Sequence, residues 1–205
     1  MRYPVEIRRF RPQTAGYRKL PIVISSQVQV AQVSSPAALF EEARYFSQTQ
    51  ETELQEYSPQ ILLGSSEDLL KLAERVERRC LNLCKLDRAV FVLTDCRDVP
   101  LRDTSRVIFW QTFGVPVYEL LLGGDGCLLA AECEAYEGWH IENGVTFSAV
   151  QGQLWYRTRR GYSGGTGLTG DVDAQLCPCG RESKRLVNVA MDLQDALRHR
   201  LLASA

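Results

Sequence analysis

Apolar and polar positions follow two different rhythms along this chain. In the first two thirds, short continuous apolar runs alternate with stretches of helical period. Pro21-Ile22-Val23-Ile24, followed by Val28, Val30 and Val33, predicts a strand, and Leu39, Ala43 and Phe46 behind Pro36 fall at helical spacing and predict a helix over 37–46. Residues 57–64, Tyr-Ser-Pro-Gln-Ile-Leu-Leu-Gly, read as a short buried strand ending at a glycine turn. Ser65 and Ser66 then signal a helix start, with Asp68 three residues after Ser65, and Leu69, Leu72, Ala73, Val76 and Cys80 make the buried stripe. A second buried strand is predicted over 89–93, a helix over 103–113 presenting Val107, Trp110 and Phe113 and stopped by Gly114, and a third strand over 115–122. Strands and helices in this alternation build a parallel sheet covered by helices.

Beyond residue 127 the rhythm shortens. Residues 128–133, 139–141, 146–150 and 154–158 read as short strands, with Asn143-Gly144 and Gln151-Gly152 between them as hairpin turns. The glycine-rich run Ser163-Gly164-Gly165-Thr166-Gly167-Leu168-Thr169-Gly170 reads as a loop. It has the glycines of a phosphate cradle, but no lysine, and Asp171 and Asp173 follow it where a helix would be needed. At the end, Met191, Ala196, Leu197 and Leu201 fall on a helical pattern over 189–202.

Composition narrows the setting. Twenty-four Lys and Arg against 25 Asp and Glu leave a net charge of −1, so there is no bulk drive toward nucleic acid or an anionic membrane, although a local patch stays open. No run approaches the roughly 18 apolar residues of a membrane span, and the N-terminus lacks a long apolar segment, which points to a soluble cytoplasmic protein. In that compartment seven cysteines are core residues or ligands rather than disulfides. Cys80, Cys84, Cys96 and Cys127 sit in apolar patterns and read as core.

The remaining three cysteines and one histidine gather at the two ends of the stretch from Cys133 to Arg181. Cys133 and His140 span the Tyr136-Glu137-Gly138 turn, and Cys177 and Cys179 flank Pro178, with Gly180 after them to turn the backbone. Three thiolates and an imidazole suit a tetrahedral Zn²⁺ held between two short knuckles, closed to water and therefore structural. Buried thiols of a β lobe, or a redox pair, are the alternatives on spacing alone. With zinc, the fold class is α/β: a partial parallel sheet flanked by helices, followed by a small antiparallel β-rich zinc-bound lobe. The divisions are a basic leader over 1–20, an α/β subdomain over 21–127, a β-rich zinc subdomain over 128–188 and a C-terminal helix over 189–205, all in one compact unit.

Phe113-Gly114-Val115-Pro116-Val117-Tyr118, Ala131-Glu132-Cys133, Gly138-Trp139-His140-Ile141, Tyr156-Arg157-Thr158-Arg159 and Cys177-Pro178-Cys179-Gly180-Arg181 resemble, in order, blocks of the phenylacetate-CoA ligase branch of acyl-adenylate-forming enzymes. The resemblance covers about residues 55–187 and implies that Cys133, His140, Cys177 and Cys179 hold zinc. Family members adenylate a carboxylic acid with ATP and Mg²⁺ and pass the acyl group to coenzyme A. Here the aromatic-Gly-x-Thr-Glu block reads Leu121-Leu122-Gly123-Gly124-Asp125, so the aromatic is leucine, the threonine glycine and the glutamate a shorter aspartate. In the Tyr-Arg-Thr-x-Asp block, the ribose-gripping aspartate is Arg160, a donor where an acceptor is required. The phosphate loop of the family's N-terminal half and the mobile C-terminal domain with its lysine have no counterpart.

These departures imply a non-catalytic, zinc-stabilised homologue, a pseudoenzyme that binds or scaffolds a protein partner or forms homo-oligomers. No catalytic or cofactor-binding residue is assigned. A subunit of a split adenylating enzyme, completed by another chain, is the second expectation. A nucleic-acid module using Arg157, Arg159, Arg160, Lys184 and Arg185 is the third and weakest, because the net charge is near neutral.

Overall fold

The computed structural model describes residues 28–33 and 43–191. The chain forms two compact units, Met1–Leu93 with Leu101–Tyr118, and Thr94–Pro100 with Glu119–Ala205. The basic leader and the first part of the strand expected from Pro21 to Val33 lie outside the described residues, and the end of that strand is present as Val30–Val33.

The first unit is a parallel sheet with helical crossovers. Its strands are β1 (Val30–Val33), β2 (Ala43–Phe46), β3 (Ile61–Gly64) and the start of β4 (Ala89–Asp95) and of β5 (Val117–Leu122), and its helices are α1 (Glu51–Tyr57), α2 (Ser66–Glu77) and α3 (Asp103–Phe113). β1 pairs in parallel with both β2 and β3, and β3 with β4, with Val30 opposite Ala43 and Ile61, and Ile61 opposite Ala89. The Val90 amide donates to the Pro116 carbonyl at 2.9 Å, bringing β5 alongside β4. Parallel strands are covered on both faces, which is why they read as continuous apolar runs. Ser65 caps α2 as expected, its Oγ accepting from the Asp68 amide at 3.2 Å. Gly64 lets α2 close over β3, since a Cβ there would lie 2.7 Å from Val33 Cγ2 and 3.2 Å from Leu69 Cγ.

Four expectations change in this unit. Ala43–Phe46 is a strand, not the end of a helix: it pairs along β1 with only Phe46 buried, and pairing outweighs local spacing. Tyr57 ends α1 instead of opening a strand, and the chain turns at Ser58, φ 54°. α3 has the expected bounds but buries Phe109 and Phe113, an i,i+4 pair with ring centroids 6.2 Å apart, leaving Val107 49% and Trp110 61% exposed. Cys80 and Cys84 are exposed, not core. α2 stops at Glu77 and Arg79 takes φ 59°, so Cys80 leaves the helical stripe.

The second unit is antiparallel apart from its β4 end. It holds the end of β5, then β6 (Leu128–Glu132), β7 (Trp139–Ile141), β8 (Val145–Val150), β9 (Gln153–Thr158), β10 (Ser163–Asp173) and β11 (Arg185–Met191), in the order β5-β6-β7-β11-β10-β9-β8. Leu121, Leu129, Trp139, Leu154, Tyr156, Leu168 and Leu186 form its core with Cys96 and Cys127, which are buried as expected. Gln151 and Gly152, φ 53° and 85°, close the β8–β9 hairpin. Asn143-Gly144 turns the chain but makes no hairpin, because β7 lies between β6 and β11 while β8 pairs with β9.

The glycine-rich run is a strand, not a loop: it opens β10, between β9 and β11. Glycine usually weakens a strand, but here aromatic rings of β9 occupy the space. Cβ atoms at Gly164 and Gly165 would lie 3.3 Å from the Tyr156 and Trp155 rings. Residues 189–191, expected to open a C-terminal helix, continue β11, and the rest of that expectation lies outside the described residues. No helix among the described residues is long and apolar enough to cross a membrane.

Candidate metal centre

The first knuckle leaves β6 at Cys133. The Cys133 carbonyl accepts from the Tyr136 amide at 3.0 Å, and Tyr136 (φ 54°) and Gly138 (φ 101°) reverse the chain into β7. Only glycine fits at 138, where a Cβ would run into the Leu186 carbonyl oxygen. His140 follows in β7, opposite Ala131 of β6 and Arg185 of β11. The second knuckle lies between β10 and β11, where the Gly180 amide donates to the Cys177 carbonyl at 2.8 Å and Gly180 has φ 81°. Each cysteine sulfur also receives the amide two residues ahead: Ala135 for Cys133, Cys179 for Cys177 and Arg181 for Cys179.

The antiparallel pairing of β7 with β11 brings the two knuckles together, and the four ligand atoms of Cys133, His140, Cys177 and Cys179 all lie within 4.8 Å of one another. Cys133 Sγ is 3.7 Å from Cys177 Sγ, and Cys179 Sγ is 3.3 Å from His140 Nε2. Two sulfurs about 2.3 Å from one ion at tetrahedral angles would be about 3.8 Å apart. His140 Nδ1 is 2.8 Å from Ser183 Oγ, which orients the ring with Nε2 toward the sulfurs. Cys133, His140 and Cys177 are buried and Cys179 is half-buried. The residues expected to ligate therefore form a cluster that could hold a metal ion.

Burial and the neighbouring arginines set the protonation of the cluster. Burial pushes the Cys133 thiol up to about 12 and raises Cys179 as well. Burial opposes ionisation of Cys177 too, but hydrogen bonds from the Cys179 amide and thiol, from Cys133 and the charge of Arg185 outweigh it and lower its pKa. Burial, with Arg181 and Arg185 nearby, brings His140 down to about 4 and keeps the imidazole neutral, as a ligand must be. Arg185 is buried, its Nη2 donating to Asp173 Oδ2 at 2.6 Å and its Nη1 to the Glu137 carbonyl at 3.1 Å. Three thiolates around a divalent ion would carry net negative charge, which the nearby Arg181 and Arg185 would offset. Ser183 and Asp173 carry no sequence signal for these roles, and Arg185 entered the sequence reading only as part of a basic group.

The block resembling a nucleotide site is a tight turn between β5 and β6. The Cys127 amide and thiol donate to the two Asp125 oxygens at 2.9 and 2.6 Å, and the Gly123 amide donates to the Cys127 carbonyl at 2.6 Å. Arg160 is exposed in the turn between β9 and β10.

No protein-family model matches the sequence, and no curated protein matches it. Solved structures do. A 2-hydroxyisobutyryl-CoA ligase in its postadenylation state with R3-HIB-AMP aligns with 81% of this chain and 44% of its own, at TM-score 0.61 and 14% identity. The fold is that of part of an acyl-CoA ligase. Coronafacic acid ligase from Pectobacterium brasiliense aligns with 77% of this chain and 38% of its own, at TM-score 0.52 and 12% identity. The chain thus spans less than half the length of these ligases, and identities this low speak for the fold alone.

Proposed function

We propose that this chain is a non-catalytic, zinc-stabilised homologue of the middle region of the phenylacetate-CoA ligase branch, acting in the cytoplasm as a binding or scaffolding protein for a protein partner or a second copy of itself. Zn²⁺ is the ion suited to three thiolates and one imidazole whose ligand atoms lie within 4.8 Å of one another. With all four positions filled by protein, the ion would staple the two knuckles and leave no place for substrate. The observation that carries the non-catalytic reading is Asp125. The side chain standing where the family holds magnesium spends both carboxylate oxygens on Cys127 in its own turn. Arg160, where the family grips ribose, offers only donors.

Metal analysis of the purified protein should return one zinc ion per chain, and a zinc-free preparation would remove the staple. Thermal shifts with ATP–Mg²⁺, coenzyme A and aryl acids should be absent, because a ligand that binds the folded state raises its melting temperature. Clear stabilisation by ATP–Mg²⁺ would overturn the non-catalytic reading. A second reading built on the same ligase-like fold is a split enzyme whose phosphate loop and lysine come from another chain. That reading requires ATP–pyrophosphate exchange on mixing with such a chain.

A further inference from the structure

Residues 143–170 contain three arginines and neither Asp nor Glu, in a chain of net charge −1. The fold gathers these arginines on one hairpin. Along β9, Leu154, Tyr156 and Thr158 are buried, whereas Trp155 and Arg157 stand on the opposite face, and Arg159 and Arg160 continue into the next turn, all exposed. Trp155 is 43% exposed, and its indole lies over Gly165 of β10, where a Cβ would meet Cε2 and Cζ2 at 3.3 Å. On the other side its β8 neighbour is Ser148, also exposed. Small neighbours on both sides make the indole a platform, one face against the strand and the other open. Among the described residues no carboxylate pairs with Arg157, Arg159 or Arg160, although Arg97 and Arg185 of the same unit are engaged by Asp95 and Asp173. The structure thus divides the basic residues noted in the sequence, since Arg185 is buried at the cluster while these three face solvent.

We propose that this face binds single-stranded nucleic acid, with a base stacked on Trp155 and the backbone phosphates along Arg157, Arg159 and Arg160. The partner must be anionic to suit three guanidinium groups that no carboxylate among the described residues pairs with, and planar to use the open indole, and a single strand offers both on one chain. An acidic protein segment would satisfy the arginines and leave the indole unused. The proposal stands independently of the metal and of the ligase reading.

The test titrates fluorescently labelled 15-mer oligothymidylate and oligouridylate with the full chain. Three phosphate contacts predict a log–log salt slope of about −2, or roughly 15- to 20-fold weaker binding from about 50 to 200 mM salt. Trp155→Ala should weaken binding about tenfold, and Gly165→Val, which lifts the ring from its strand, should weaken it in the same direction. The triple change Arg157→Gln, Arg159→Gln and Arg160→Gln should flatten the salt slope, while Lys184→Gln, outside this face, should leave binding unchanged. Circular dichroism reports whether each variant keeps its fold. The proposal is overturned by any of three results: no binding at about 50 mM salt, unchanged binding by both the folded Trp155→Ala and Gly165→Val variants, or equal competition by polyglutamate at matched charge, which would mark an acidic protein as the partner.

Discussion

The two units bury different kinds of side chain. Among the buried polar and charged residues described, Gln32 alone belongs to the first unit, whereas Thr94, Glu119, His140, Thr158, Thr166 and Arg185 all belong to the second. The first is held by an apolar core running from Ala31 through Leu62, Leu69, Val90 and Phe109 to Val117. The second has a smaller apolar cluster and buries His140 and Arg185 at or beside the four ligand atoms. An apolar core is non-directional, whereas a buried polar cluster is stable only while every member keeps its partner. The second unit should therefore respond to metal and pH where the first does not.

If the cluster holds the proposed zinc, the largest effect that would separate the units is metal removal. Structural zinc sites in small domains contribute on the order of 10 kcal/mol. A strong chelator, or Cys177→Ala, should unfold the second unit, read from Trp139 and Trp155 in variants lacking the other tryptophans, while Trp110 in the first unit keeps its signal. Simultaneous loss at Trp110 would erase the distinction. The complementary change is Phe109→Ala, which empties a fully buried site in the first unit and should cost about 3–5 kcal/mol in urea denaturation followed at Trp110. A transition displaced only at Trp139 would contradict it.

Acid should act on the second unit next. His140 is held at about 4 in the folded chain against an ordinary 6.5. Above pH 6.5 both states carry neutral imidazole; as pH falls below it the unfolded chain takes up a proton that the folded chain refuses until about pH 4. Stability is therefore lost across that window, by roughly 3 kcal/mol in all. Denaturation midpoints at the second unit's tryptophans, measured from pH 7.5 to 4.5, should fall, and a flat profile would remove His140 from the cluster. The smallest change is Ser65→Ala, which deletes the α2 cap and should lower the first unit's stability by about 1 kcal/mol, leaving metal content unaltered.

How much was legible in the sequence follows the same division. Periodicity gave the bounds of α3, the Ser65 cap and, to within a residue, strands β6 to β9, because each depends on local pattern or turn chemistry. It misjudged which face of α3 is buried, since Val107, Ile108, Phe109 and Trp110 are all apolar and only packing chooses among them. Ala43–Phe46 satisfied a helical spacing and became a strand by pairing with β1. The glycines of β10 lacked strand propensity and became a strand because Trp155 and Tyr156 needed the room. Cys80 and Cys84 sat in an apolar pattern as Cys96 and Cys127 did, but the helix had already ended.

By itself the sequence determined the chemistry available at the cluster: thiols and imidazole in two short turns, with glycines at 138 and 180 where the backbone needs positive φ. What only the tertiary structure decided was that Cys133 and Cys177, 44 residues apart in sequence, meet with their sulfurs 3.7 Å apart. That meeting depends on Arg185 pairing with His140 across β7 and β11, and on Ser183 turning the imidazole inward. Local pattern extends over one turn or one strand, whereas a coordination site needs side chains from distant strands at a few ångströms, and only the register of the folded sheet sets that distance.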